Sequence, residues 1–224
     1  MDFSDINALQ KDAAPFLNEL LSQGGHVEIP QGEYRVGSTL LVPSGTTLIA
    51  HPQAHFFLLP ERRLRAHEYL LTNQNHRVGG DHDITIEGGI WDGVNTCPFN
   101  QKGDIFDLSG YSGVVLNFFG VKGLNLRNFV IANSETYNIR MARIEDFTIE
   151  NIAFVSDQLG KNQDGLHFNG YCSHGKVSNI RALSKGQTND DLIALNADDS
   201  MERVENIGMV RGPITEIDFD DLYA

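Results

Sequence analysis

Three asparagines, Asn128, Asn151 and Asn179, recur 23 and 28 residues apart at the same place in a repeated β-type pattern. The run Val121-Lys122-Gly123-Leu124-Asn125-Leu126-Arg127-Asn128-Phe129 aligns with Ile144-Glu145-Asp146-Phe147-Thr148-Ile149-Glu150-Asn151-Ile152, and Val177-Ser178-Asn179-Ile180 repeats its end. A period of roughly 20–50 residues is the mark of a solenoid, in which no repeat buries its apolar face alone and each stacks on the next. Within the units apolar and polar residues alternate instead of recurring every third or fourth position, so parallel β-strands are expected, not helical hairpins. An asparagine at a fixed bend tolerates left-handed backbone and can hydrogen-bond to its copies along the stack.

The rest of the chain fits one elongated all-β domain over residues 1–224. Apolar positions at Leu9, Phe16, Leu17, Leu20 and Leu21 predict an amphipathic helix over residues 5–22, kinked at Pro15, ended by Gly24-Gly25 and capping the first coil. Strands are expected at Val27–Pro30, Thr39–Val42, Thr46–Ala50, His55–Leu59, Ile84–Trp91 and Val114–Phe119, with irregular stretches at Glu61–His82 and Gly93–Gly110. Two continuations of the asparagine ladder compete. Asn206 lies 27 residues after Asn179, but Ile214–Leu222 matches Ile144–Ile152 better, and Asp221 follows Asn206 by only 15 residues. The better match makes Met201–Gly212 an insertion that loops out beside an acidic cluster. The β-run before Ala224 leaves apolar core to be covered, which points to a homo-oligomer over the C-terminal end or to a truncated form of a longer protein.

Seventeen basic against 30 acidic residues leave a net charge of −13, which argues against nucleic acid or an anionic membrane as partner. No apolar run approaches the ~20 residues of a membrane span. Cys97 and Cys172 have no metal-ligand spacing and predict reduced thiols. No signal-peptide pattern or Asn-x-Ser/Thr sequon is present, so the chain as given reads as cytoplasmic, or as secreted if a leader has been removed.

Chemistry concentrates in two runs, Asn162-Gln163-Asp164-Gly165 and Asn189-Asp190-Asp191-Leu192-Ile193-Ala194-Leu195. Aligning Asp164 with Asp191 gives an offset of 27 residues, about one coil, and stacked strands lie ~4.8 Å apart. Asp164, Asp190 and Asp191 should therefore meet, and three crowded carboxylates cannot all ionise freely, so one gains the raised pKa of a general acid. Alternation gives Asp164 the inward parity of Leu166 and Phe168, so the acid has to sit on the bend that starts the strand, a bend Gly165 permits. Either an acidic turn without chemistry or a catalytic cluster fits these residues in isolation. His167 falls on the outward parity, with Arg140 in the coil before and Ala194 in the coil after. His167 and Arg140, with Asn162 and Lys161 beside them, are candidates for holding substrate. His174 flanks the region, Tyr137 offers an aromatic face for a sugar, and Asp198-Asp199 is either a cation ligand or an acidic turn. No phosphate loop, Cys-x-x-Cys, His-Glu-x-x-His or Gly-x-Ser-x-Gly is present.

The run His82-Asp83-Ile84-Thr85-Ile86-Glu87-Gly88-Gly89-Ile90-Trp91-Asp92-Gly93, then Asn133-Ser134-Glu135-Thr136-Tyr137-Asn138-Ile139-Arg140, Asn162-Gln163-Asp164-Gly165 and Asp190-Asp191, resembles the polygalacturonase-like glycoside hydrolases of the pectate-lyase-type superfamily. The opening Gly24-Gly25-His26-Val27-Glu28-Ile29-Pro30-Gln31-Gly32-Glu33-Tyr34 is similar to the start of many such folds. The resemblance implies a right-handed parallel β-helix and inverting hydrolysis of a poly- or oligosaccharide without cofactor or metal. Asp164 and Asp190 would hold and activate water, and Asp191 would be the general acid. The family's downstream Gly-His-Gly and Arg-x-Lys motifs are missing; Arg211-Gly212-Pro213-Ile214 stands where the first is expected. Two other functions stay open: a carbohydrate-binding or structural β-helix without catalysis, and a calcium-dependent polysaccharide lyase.

Overall fold

The structure is a computed structural model that describes residues 2–9, 11–59, 62, 64–95, 112–158, 160, 162–184, 188–202 and 206–224. The expected helix over residues 5–22 is two helices, α1 (Phe3–Leu9) and α2 (Ala14–Leu21). Asp12 causes the break. It forms a parallel bridge with Arg35, and its carboxylate accepts the Gly37 and Ala14 N–H groups at 2.8 and 2.9 Å, which pulls the backbone out of helical geometry. Pro15 then opens α2 at a position where its missing N–H costs nothing. Leu17 and Leu21 are buried, and Phe16 packs edge-on against Phe3, so the two helices cover one end of the apolar core.

The strands are β1 (Gly25–Ile29), β2 (Gly32–Val36), β3 (Leu40–Val42), β4 (Thr46–Ala50), β5 (Ala54–Leu58), β6 (Leu71–Asn73), β7 (Asp81–Glu87), β8 (Ile90–Asp92), β9 (Leu116–Ala132), β10 (Ile139–Val155), β11 (Leu166–Phe168), β12 (Cys172–Ala182), β13 (Ile193–Leu195) and β14 (Ile214–Tyr223). All pair in parallel within one curled sheet. Three ladders run through it. The first is β1, β4, β7, then the middle of β9 and β10, then β12 and β14. The second is β2, β5, β8 and the far ends of β9, β10, β12 and β14. The third is β3, β6, the starts of β9 and β10, then β11 and β13. Apolar side chains of all three meet in one cluster. Leu48, Ile86, Leu126, Ile149 and Val177 form one row of it, and Tyr34, Phe56 and Trp91 stack in another with centroids 5.1 and 4.2 Å apart. Each such side chain contributes about 1.5–3 kcal/mol of burial, which the parallel stacking repeats strand after strand.

The asparagine ladder forms as expected. Asn179 Nδ2 donates to Asn151 Oδ1 at 2.7 Å, Asn151 Nδ2 to Asn128 Oδ1 at 2.9 Å, and Asn128 Nδ2 to Glu87 Oε1 at 3.0 Å. All three asparagines are left-handed, with φ of 61°, 55° and 50° in chain order. Asp221, not Asn206, continues the column, because β14 pairs Leu222 with Ile180. Besides the helix, three expectations change. Ile84–Trp91 splits at Gly88-Gly89, where a Cβ on Gly88 would lie 2.0 Å from the Ala50 carbonyl oxygen. β2 was not foreseen, and Glu61–His82 is not wholly irregular, since it contains β6. Of Gly93–Gly110, residues 96–110, with Cys97, lie outside the described residues. Cys172 is a buried free thiol, which burial pushes up to about 12. No described helix is long and apolar enough to cross a membrane.

Candidate functional site

The third ladder sets the site. Asn117, Arg140, His167 and Ala194 stand side by side on successive strands, as the repeat predicts for the last three. Just before this row the Asn138 N–H donates to the Asp164 carbonyl at 2.8 Å, and the Gly165 N–H donates to the Asp191 carbonyl at 2.9 Å. That register brings side-chain oxygens of Asp164, Asp190 and Asp191 within 4.8 Å of one another. Asp164 is 3% exposed, whereas Asp190 and Asp191 face solvent. The bend before β11 frees Asp164 from alternation: Leu166 and Phe168 enter the core while the Asp164 carboxylate turns to the outer side of the strand. Gly165 serves this bend by close approach, since a Cβ there would lie 2.4 Å from the Leu192 carbonyl and 2.7 Å from the Phe154 ring.

His167 is the hub. Its Nδ1 lies 2.6 Å from Asp164 Oδ2 and its Nε2 3.6 Å from Asp199 Oδ2, and its ring stacks on Tyr137 with centroids 3.7 Å apart. The other Asp164 oxygen accepts the Asp191 N–H at 3.3 Å. Asp199 arrives from the segment after β13, where Asn206 Nδ2 and the Ser200 N–H each donate to it at 2.7 Å. The same segment is tied down by Gly170 N–H to the Val210 carbonyl and by Gly212 N–H to the Ala197 carbonyl, and Met209 packs on Phe119 and Ala142. The described part of the looped-out insertion therefore lies beside the acids: Met209 packs over β9 and β10, and Asp199, just ahead of the insertion, covers His167 of β11.

Arg140 is 1% exposed. Its Nε donates to Asn117 Oδ1 at 2.9 Å, and its guanidinium lies over the Tyr69 ring and donates to the Tyr69 hydroxyl. Asn117 in turn donates to Thr72 Oγ1 at 3.0 Å. His167 and Arg140 are thus both buried, each in its own set of polar contacts, and Asp164 lies between His167 and the exposed acid pair. Tyr137 is buried against His167 and presents no open face. Asn162 is half-buried in a left-handed bend, and Lys161 lies outside the described residues. His174 pairs with Glu216 at 3.0 Å on the first ladder and does not join the site. Asp198 pairs with Arg211 at 3.1 Å. The Asp199, Asn117 and Tyr69 contributions were not read from sequence; Asp198-Asp199 gave the one available signal.

Three carboxylates with oxygens this close span the ~2.3–2.6 Å ligand distances of Ca²⁺, so Asp164, Asp190 and Asp191 could hold a divalent cation. A second group, Glu145, Asp146 and His174, is exposed, and Lys122 already neutralises its carboxylates at 3.2 and 3.3 Å.

No family model matches the chain, and no curated protein matches it. Its fold is similar to solved structures. A "putative glycosyl hydrolase" from Parabacteroides merdae matches with a TM-score of 0.63 at 14% identity, over 94% of this chain and 85% of that one. Gene product 12 of bacteriophage phi29, in its pre-mature form, matches with a TM-score of 0.60 at 16% identity, over 77% of this chain and 27% of that one. PfbA, a surface adhesin of Streptococcus pneumoniae, matches with a TM-score of 0.55 at 14% identity, over 76% of this chain and 46% of that one. At these identities the shared feature is the fold.

Proposed function

We propose that the three ladders close into a right-handed parallel β-helix and that the chain is a glycoside hydrolase acting on a poly- or oligosaccharide. The observation that carries this reading is the meeting of Asp164 with Asp190 and Asp191 from the next coil, one acid buried and two open to solvent. The fold neighbour described as a "putative glycosyl hydrolase" supports it weakly. Asp191 protonates the glycosidic oxygen as the C–O bond breaks. A water held by Asp164 and Asp190 attacks the anomeric carbon from the opposite face and gives its proton to a carboxylate. Inverting enzymes keep acid and base roughly 6.5–9.5 Å apart, whereas one oxygen from each of the three acids here lies within 4.8 Å of the others. Asp164 is fixed by His167 and the Asp191 N–H, so the gap opens by rotation of the exposed Asp190 and Asp191 side chains.

The 4.8 Å clustering also favours a second reading, a calcium-dependent lyase using the same acids. One assay separates the two. Incubated with a panel of polysaccharides, the wild-type chain releases reducing ends in the presence of EDTA, and Asp191→Asn lowers the rate at least about a hundredfold with the circular dichroism spectrum unchanged. Unchanged turnover by Asp191→Asn removes it as the acid. Activity lost in EDTA with an ultraviolet-absorbing unsaturated product favours the lyase. Glycan retention without any cleavage favours a binding protein.

A further inference from the structure

Where the third ladder turns into the first, four residues stack in one column: Gly80, Gly120, Arg143 and Tyr171. All four are left-handed, with φ of 94°, 66°, 53° and 64°. Glycine takes this conformation without penalty, whereas a residue with a Cβ is strained in it. The first two coils use glycine. The next two place an arginine and a tyrosine there, against the local backbone preference, and such an outlier invites a functional account.

The side chains form a built platform. The Arg143 guanidinium carbon lies 5.8 Å from the Phe119 ring centroid and 5.7 Å from that of Tyr171, so the cation bridges the two aromatic rings. Gly212 supports the ring: a Cβ there would lie 2.5 Å from Tyr171 Cε2. Gly170 allows that approach, since its own Cβ would lie 2.3 Å from the Gly212 nitrogen. Held in this way, Tyr171 remains 50% exposed, and Arg143 is exposed beside it. The aromatic that the sequence offered as a sugar platform, Tyr137, is buried, whereas Tyr171 has the open surface.

We propose that Tyr171 and Arg143 form a glycan-binding subsite, with a pyranose ring stacking on the Tyr171 face and its hydroxyls accepting hydrogen bonds from Arg143. The proposal rests on the reading of the chain as carbohydrate-active. Tyr171 follows Asp164 by seven residues, so the platform lies at most about 25 Å from the acids, within reach of one oligosaccharide chain.

The test is affinity electrophoresis in gels containing xylan, galactan, a β-glucan or polygalacturonate, run beside thermal melts. The wild type is expected to be retarded by at least one of these. Tyr171→Gly should weaken that retention about tenfold while Tm holds or rises by about 2–4 °C, because the backbone strain goes with the Cβ. Tyr171→Phe, which keeps the stacking face, should stay within about threefold of wild type. If Tyr171→Gly lowers Tm, Tyr171→Asn carries the comparison, since asparagine holds the same bend at Asn128, Asn151 and Asn179. Retention by the Gly or Asn variant equal to wild type overturns the subsite and leaves the glycan reading standing, as does loss in Tyr171→Phe as large as in Tyr171→Gly. A wild type retarded by none of the four overturns both.

Discussion

His167 shows how one side chain can organise an acid site without reaching solvent. Alternation puts it on the outer face of β11, but Tyr137 and the segment bearing Asp199 cover it completely, and both ring nitrogens end near carboxylates. Its main service is to Asp164, whose Oδ2 it meets at 2.6 Å; without the ring that carboxylate would be buried with the Asp191 N–H as its hydrogen bond from the neighbouring coil. Leaving a buried carboxylate short of a partner costs roughly 3 kcal/mol, and in a chain of this length each kcal/mol moves Tm by about 2–4 °C. His167→Ala is therefore expected to lower Tm by about 6–12 °C in a calorimetric melt. His167→Asn, whose amide nitrogen can take the place of Nδ1, should recover part of the loss. A His167→Ala melt within a degree of wild type would show that Asp164 does not depend on the ring. The same residue marks a boundary of sequence reading. Its register with Arg140 and Ala194 follows from the repeat, but its burial does not, because the roof comes from residues more than 25 positions away.

At the scale of elements, the second ladder carries a charge cluster on its outer face. His55 of β5 lies 3.2 Å from Glu33 of β2 and 3.1 Å from Asp92 of β8. The hydrogen bond to Asp92 is the largest influence on His55 and raises its pKa above the ordinary histidine value, against the pull of burial. Burial pushes Asp92 up, but bonds from His55, the Val94 N–H and Asn133 outweigh it and hold the carboxyl below its usual range. The raised histidine stabilises the fold fully below an unfolded pKa of about 6.5, and that contribution is lost as pH rises through the folded value. The depressed aspartate contributes above about 3.9 and is lost as pH falls through its folded value. The cluster is therefore worth most between about pH 4 and 6.5, so the wild-type Tm is expected to fall from pH 6 to 9 and His55→Gln should flatten that fall. An equal slope in both proteins would assign the pH dependence elsewhere. These three residues were not singled out from sequence, because β2 itself was missed. Gly32–Val36 alternates in burial, yet it is only five residues long and lies between Pro30 and Gly37, a setting that reads as a turn. The strand repeats of β9, β10 and β12 were legible because their bends repeat one chemistry, amide on amide, at a fixed place. The helix break at Asp12 was not, because its cause is a bridge to Arg35, 23 residues on.

For the whole molecule the deciding quantity is charge. A net −13 on 224 residues surrounds the acid site with a negative field, and Asp190 and Asp191 face solvent within it. Arg140, the cation nearest His167 in the ladder, is buried and directed at Tyr69 and Asn117, so it does little to offset that field at the surface. A polyuronate must approach against this repulsion, whereas a neutral glycan feels none of it. The Debye length falls from about 30 Å at 0.01 M salt to about 8 Å at 0.15 M, so added salt removes the long-range part of the repulsion while leaving short contacts in place. If polygalacturonate is bound, its apparent Kd should improve several-fold over that range, the reverse of the salt response of a basic glycan-binding surface. Affinity for a neutral polysaccharide should stay constant over the same titration. Weakening of polygalacturonate binding with salt would mean that a local cationic patch, with Arg143 as its natural centre, outweighs the charge of the whole chain and sets the substrate class.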